Sequence, residues 1–414
     1  MTSNTTIESV SDREQEVLSL LNEAYDNWGD ATHFRWKYDE YSGYDPEKHT
    51  FAVIKDGEEV VAFRRMFEKE LRTGDGTVTT FVLGDTAVAP DHRGQGHYSD
   101  LHAKTTTYGK SSGAAATITY NNVGRVTFKA NRQRGWEYSV LPLRLYIHSY
   151  ETVLSHYADL AVSKDSLFAS VAKRFGDRFV LRADEERVSI VKIFGGDESG
   201  DQLQIEAAAS RQAVARLVEV ASNDSVSRAV PTGIKLLASG DISLIGDPDP
   251  APTRSREPDS EVMVVDPESL SRDDIETMVD LCKFTSAGRP TFRRERRDVE
   301  HMLAYPDAEV LVVKEGAELT GFAVIGPYDN DGVVEARVLD QAAPSDAVAD
   351  QLRRKLERYT GNEGYDLLVM ISDRAPNPEW ASIDQQVLMW TEADGLESGK
   401  QTFKNLQVSF YDVL

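Results

Sequence analysis

Apolar and polar positions along the chain fall into two successions of the same kind. Near the start, Val17, Leu20, Leu21, Ala24 and Tyr25 recur three and four residues apart, as on one face of a helix, behind a capping-box pair, Ser11 and Glu14. The pair Phe34-Arg35 follows. Residues 51–63 (FAVIKDGEEVVAF) then switch to two strands joined at an Asp-Gly step, where glycine supplies the positive φ of a tight hairpin. A third strand runs through LGDTAVAP to Pro90, a helical pattern covers 99–110, and another strand covers 115–120.

The succession returns late in the chain. Ser271 and Asp274 open a helix with Ile275, Met278, Val279 and Cys282 on one stripe, which makes the single cysteine a core residue, and Phe292-Arg293 follows. Residues 310–322 (VLVVKEGAELTGF) lie over 51–63 without a gap, with Lys55/Lys314, Gly57/Gly316, Glu59/Glu318 and Phe63/Phe322 coinciding. A strand ending LDQAAP at Pro344, a helix over 347–359 and a strand over 366–372 complete the second round. Such self-similarity predicts two copies of one α/β (α+β) unit.

The intervening stretch has a different pattern, with helices expected around 166–175 and 211–221 and strands around 187–194 and 241–245. The Pro-rich run over 246–258 cannot continue a helix or a central strand and reads as an extended linker. The expected division is therefore a first domain at 1–150, an α+β middle segment at 151–245, a linker at 246–260 and a second copy at 261–414.

Composition narrows the function. The 414 residues carry 69 acidic and 46 basic side chains, a formal charge of -23, which repels nucleic-acid backbones and anionic lipid and suits a salt-rich cytosol. Arg293, Arg294, Arg296 and Arg297 alternate with Glu295, Asp298 and Glu300, as on a solvated helix face rather than a nucleic-acid patch. The first residues lack a basic and apolar leader pattern, and no apolar run approaches about 18 residues, so a cytoplasmic protein is expected.

The sharpest local signal is VAPDHRGQGHY, residues 88–98, between a strand and a helix. Glycines there leave backbone N–H groups facing outward at a helix N-terminus, where the helix dipole and Arg93 favour an anion such as a pyrophosphate. An ordinary Gly-rich turn is the plainer alternative. The string is neither a Walker loop nor the dinucleotide fingerprint. His92, His97 and His102 crowd the same stretch, but five residues turn a helix by about 140°, so His97 and His102 do not share a face and no metal is expected.

The strand, the Val-x-Pro-x-x-Arg-Gly-x-Gly string and the helix together resemble motif A of the GNAT superfamily of acyl-CoA-dependent N-acyltransferases, over residues 12–149. Asn121 at the end of the next strand and Gly135-Trp136 after the following helix add to the likeness. The resemblance implies a mixed sheet flanked by helices. It also implies that acetyl-CoA is held by Ala87, Val88, Arg93, Gly94, Gln95, Gly96, His97, Tyr98 and Asn121. After Pro344 the second copy has Ser345-Asp346 and no glycine, so it resembles a degenerate GNAT domain.

The implied reaction is transfer of an acetyl group to a small-molecule or peptide amine by direct attack on the thioester. Asp85 is the candidate base, with a pKa expected to be raised by partial burial. In the family a Tyr often protonates sulfur four residues before the Gly-Phe; here that position is Asn131, leaving Tyr120, Tyr98, Tyr138 or a water as substitutes. A non-catalytic acyl-CoA binder or scaffold is the alternative, and the oligomeric state stays open.

Overall fold

The computed structural model describes residues 5–8, 12–25, 28–55, 59–74, 76–123, 125–149, 152–153, 156, 178–183, 187–193, 202–208, 215, 218–219, 261–285, 289–372, 379–392, 403 and 406–413. In the first half, β1 (Thr5–Glu8) pairs with β2 (Thr50–Lys55), after α1 (Glu14–Tyr25), α2 (Ala31–Lys37) and α3 (Pro46–His49). The strand β3 (Glu59–Thr73), β4 (Gly76–Val88), α4 (His97–Ser111), β5 (Ala116–Asn122), α5 (Val126–Gln133) and β6 (Glu137–Ile147) follow. Val17, Leu18, Leu20 and Leu21 are buried on α1, as the helical spacing required. The start of α2 is fixed by Asp30, whose carboxylate accepts from the Thr32 and His33 N–H groups.

The second half begins with β10 (Glu261–Val265), numbered after the middle strands β7 (Arg178–Ala183), β8 (Arg187–Ile193) and β9 (Gln202–Ala208). It continues through α6 (Arg272–Thr285), β11 (Thr291–Phe292), α7 (Arg296–Leu303), β12 (Glu309–Glu315), β13 (Glu318–Asn330) and β14 (Val333–Ala342). Next come α8 (Asp346–Asn362), β15 (Leu367–Ile371), β16 (Trp380–Glu392) and α9 (Phe410–Val413). The Ser271–Asp274 capping box is present, each side chain bonded to the other residue's N–H. Both expected hairpins form, and Gly316 has φ +66, while residues 56–58 of the other turn and Ser11 lie outside the described residues.

Strands β7, β8 and β9 form a separate antiparallel sheet, of which only the middle strand was anticipated. Ala215, Val218 and Glu219 are helical, within the helix expected over 211–221. The helix over 166–175, the strand over 241–245 and the linker over 246–260 lie outside the described residues.

All other strands join one thirteen-stranded sheet, in the order β1-β2-β3-β4-β5-β16-β6-β15-β14-β13-β12-β10, with β11 beside β3. The last strands of the two halves are exchanged. β16 lies antiparallel to β5, with Leu388 opposite Tyr120, and β6 lies antiparallel to β15, with Leu145 opposite Val369. Residues 1–150 and 261–414 thus share one sheet, and neither range contains all the strands that flank its own. In β3, Phe63 and Phe67 pack towards α1 and α2 while Met66 packs with Leu101 of α4, so this strand is buried on both faces. Among the described residues, no helix is long and apolar enough to cross a membrane.

Candidate functional site

The parallel pairing of β4 with β5 runs from Thr80 opposite Ala116 to Leu83 opposite Thr119 and stops there. Both strands continue, β4 to Val88 along β3 and β5 to Asn122 along β16, so a gap opens between them. Ala87 and Val88 lie on one arm of the gap, Tyr120 and Asn121 on the other. The divergence starts at a β-bulge: Phe63 faces Ala87 and Arg65 faces Gly84, leaving Asp85 and Thr86 opposite Arg64 alone. Asp85 takes φ +42, an uncommon conformation for a residue other than glycine.

That conformation is held by three donors to the Asp85 carboxylate: Tyr38 Oη at 2.6 Å, Lys37 Nζ at 2.9 Å and Trp28 Nε1 at 3.1 Å. Burial alone pushes the pKa up, but the Lys37 ammonium and the Tyr38 hydroxyl outweigh it and hold Asp85 below the usual carboxylate value. The expected rise towards neutrality is therefore corrected. The sequence showed the burial and not the partners, which α2 supplies.

Beyond the bulge, a 3-10 turn (Pro90–His92) leads into Arg93, Gly94 at φ +79 and Gly96 at φ +95, and α4 starts at His97. The left-handed Gly96 is the N-cap and gives no side-chain cap, so the first N–H groups of α4 stay open. Arg93 donates through Nε to the Val88 carbonyl at 3.2 Å, and Gln95 bonds to the Asp91 carbonyl. His97 is buried, not solvent-exposed, and its Nε2 has no hydrogen-bond partner among the described residues. Burial, followed by the like charge of His92, lowers its pKa. The matching helix of the second half, α8, is closed by its own Ser345, whose hydroxyl accepts from the Val348 N–H.

Tyr98, in the first turn of α4, donates to Asn131 Oδ1 at 3.2 Å, so two of the candidates meet. No hydrogen bond joins them to Asp85 or Tyr120. Tyr120 packs against the core on the α1 side, where its buried hydroxyl has no partner among the described residues, and burial and then Asp412 push its pKa well up. Asn121 reaches Met389 Sδ, and Trp136 is buried with Leu101 on the α4 side behind Gly135 at φ +86.

Residues 7–139 match the family model described as the acetyltransferase (GNAT) domain. This part of the chain is similar to a GNAT acetyltransferase domain. Across 94% of its length the chain is similar in fold to a GCN5-related N-acetyltransferase from Kribbella flavida, covering 71% of that protein with a TM-score of 0.51 at 13% identity. A protein from Enterococcus faecalis V583 described as a probable N-acyltransferase gives a TM-score of 0.51 at 11% identity, over 97% of this chain and 74% of the other. A GCN5-related N-acetyltransferase from Anabaena variabilis gives 0.50 at 9% identity, over 94% and 72%. No curated protein matches in sequence.

Within this GNAT-like domain, sequence reasoning missed two consecutive arginines on β3. Arg64 is buried; its Nε donates to Thr86 Oγ1 at 2.8 Å, and Nη1 lies 3.3 Å from His102 Nδ1 and 3.4 Å from Thr105 Oγ1. Arg65, on the other face, lies against the Tyr38 and Tyr44 rings; its Nε and Nη1 have no hydrogen-bond partner among the described residues, and burial pushes its pKa down to about 10. The signal available was Arg-Arg inside the apolar run VVAFRRMF, where a strand buried on both faces has no solvent to offer a charge. A cavity of about 400 Å³ opens between the GNAT-like domain and the second half, lined by Tyr44, His49, Lys69, Tyr108, Arg293 and Tyr411 among others. A smaller one continues past Lys69 and Tyr41 to Lys37, the partner of Asp85.

Proposed function

We propose that the protein transfers an acetyl or other short acyl group from an acyl-CoA to an amine, by direct attack of the amine on the thioester. The observation that carries this reading is the open N-terminus of α4, where Gly94 and Gly96 hold left-handed backbone beside the gap between β4 and β5. The buried, unpartnered Nε2 of His97 fits an anionic group at that turn. The N–H groups of the Arg93–Gly96 loop and the first turn of α4 bind the pyrophosphate, and Arg93 adds charge. Ala87 and Val88 on one arm of the gap and Asn121 on the other hold the pantetheine and orient the carbonyl.

The bound acyl-CoA supplies the activated carbonyl. With Asp85 kept ionised by Lys37 and Tyr38, its role is to hold the bulge, and water takes the proton from the amine. Tyr98, bonded to Asn131, is better supported as a proton donor than Tyr120, which faces the opposite side of the sheet. The second half acts as a scaffold, a degenerate copy whose α8 is closed by Ser345. The acceptor enters between the first copy and the middle or C-terminal segments; the large cavity lies by Thr79, Phe81, Tyr108 and Ser112, at the other end of α4 from the loop, and its lining mixes Glu68, Glu70 and Asp298 with Lys48, Lys69, Arg293, Arg294 and Arg297. The reaction takes place in the cytoplasm, without nucleic acid or membrane.

Calorimetry with acetyl-CoA in concentrated KCl and thiol release with a panel of amines test this reading. Arg93→Glu is expected to weaken CoA binding by about tenfold or more, since it places a like charge beside a phosphate. Unchanged affinity in that variant rules out the loop as the binding site, and binding without thiol release from any amine selects the non-catalytic alternative.

A further inference from the structure

Among the described residues, Arg64 is a charge without a counter-ion. It is 3% exposed, and among the described residues no carboxylate comes within ion-pair distance. Its neighbours are the Thr86 hydroxyl on the bulge, His102 and Thr105 on α4, and the ring and hydroxyl of Tyr98. Tyr25 and the like-charged Arg134 also bear on it. His102 offers no negative charge, and burial and the two arginines push its pKa down to about 4 and leave it neutral. Arg294 shows what this chain does elsewhere with a buried guanidinium: it meets Asp412 at 2.8 Å and Asp340 at 2.9 Å.

An unpaired buried cation is costly, more so beside a second one. Nothing in the architecture of the strand demands it. On the gap-free overlay of the two hairpins, with Phe63 on Phe322, the position of Arg64 is occupied by Ala323, fully buried in an apolar core. The positive charge therefore belongs to the bulge beside the gap and to the open loop, in a protein whose net charge is -23. A charge that no described residue offsets is suited to one that appears during turnover.

We propose that Arg64 is a positioning residue that ties the bulge, through Thr86, to α4 and keeps a preformed positive potential for the sulfur anion released from a bound acyl-CoA. The inference rests on the acyl-CoA reading above. In the step concerned, the amine lone pair forms the C–N bond and the C–S electron pair departs on sulfur. The nitrogen gives its proton to water, and the thiolate regains a proton through Tyr98, which takes one back from solvent as CoA leaves.

The test is a titration of the thiol of CoA bound to the full-length protein, followed by thiolate absorbance, with calorimetry for affinity and steady-state kinetics alongside. In the wild type the bound thiol is expected to titrate about one unit or more below free CoA, a tenfold change in acidity. Arg64→Met is expected to abolish that shift and to lower kcat about tenfold or more, with the KM for acetyl-CoA within about threefold. Arg64→Lys should restore most of the thiol shift. A wild-type bound thiol no more acidic than free CoA overturns the inference without any variant having to fold. So does a folded Arg64→Met protein with unchanged kcat and thiol pKa. If the wild type binds no CoA, the acyl-CoA reading fails and the inference with it; if it binds and transfers without the thiol shift, the inference alone fails.

Discussion

The two halves of the sheet carry the same irregularity at corresponding places and surround it differently. In the first half, a bulge in β4 bears Asp85; in the second, the register of β13 with β14 slips between Val324 and Ile325, and Asp340 faces Val324 there. Asp85 receives three donors and sits below its usual pKa, whereas burial pushes Asp340 up and Arg294 only partly counters it. Opposite the first bulge stands Arg64, with Arg65 next to it; opposite the second stand Val324 and Ile325, both apolar. The first helix after it opens on glycines in left-handed backbone; the other is capped by Ser345. One backbone device thus serves a polar, open site in one half and a closed packing arrangement in the other.

The comparison is broken most forcefully at Arg294, which joins Asp340 and Asp412 and so ties the C-terminal segment to the second bulge. Arg294→Ala is expected to lower stability by about 3–5 kcal/mol, the cost of leaving buried carboxylates without their cation. The urea midpoint reads it, and CoA affinity of the protein still folded should be unchanged. A loss under 1 kcal/mol would mean that the second bulge does not depend on its ion pairs.

A middle-sized effect separates the two aspartates by pH. Asp85 has a folded pKa below its unfolded one, so its contribution is present above the unfolded value of about 3.9 and is lost as pH falls through the folded value. Asp340 has the opposite sign: its raised folded pKa makes the ionised form a burden at neutral pH that protonation relieves as pH falls. Asp85→Asn is expected to cost about 1–3 kcal/mol at pH 7 and to flatten the acid limb of the stability curve, while Asp340→Asn costs less at pH 7. Equal losses with equal acid limbs would erase the distinction.

The smallest effects concern the helix starts. Gly96→Ala forces a side chain to φ +95 and should cost about 1–2 kcal/mol and weaken CoA binding. Ser345→Ala removes a cap worth about 1 kcal/mol and should leave CoA affinity untouched. Thermal unfolding and calorimetry on the pair decide whether the two N-termini differ in function or only in sequence.

Local signals were legible in the sequence because local physics decides them. The hairpins declared themselves by alternation and a glycine turn, α6 by Ser271 and Asp274, and the loop by its glycines, which take left-handed backbone. The direction of the Asp85 shift was not legible, since Lys37, Tyr38 and Trp28 come from segments 47 to 57 residues away. Nor was the exchange of β6 and β16, because either order of pairing satisfies the same apolar pattern and only the packing of both halves selects one. Arg64 was overlooked for a related reason: a charge within a strand pattern reads as an edge or a solvent face until the second layer is seen to cover it.

The exchanged strands also set a timetable. The arm of the gap formed by Tyr120, Asn121 and Asn122 is flanked by Leu388, Val387 and Gln386, residues made only after the middle segment and β10 to β15. While the ribosome is still adding the middle segment, β5 has a bare edge and β6 has neither of its final neighbours. Residues 7–139, although made before the middle segment, gain their last neighbour only with β16, so a nascent chain or one cut before β16 holds the loop but not the finished gap beside it.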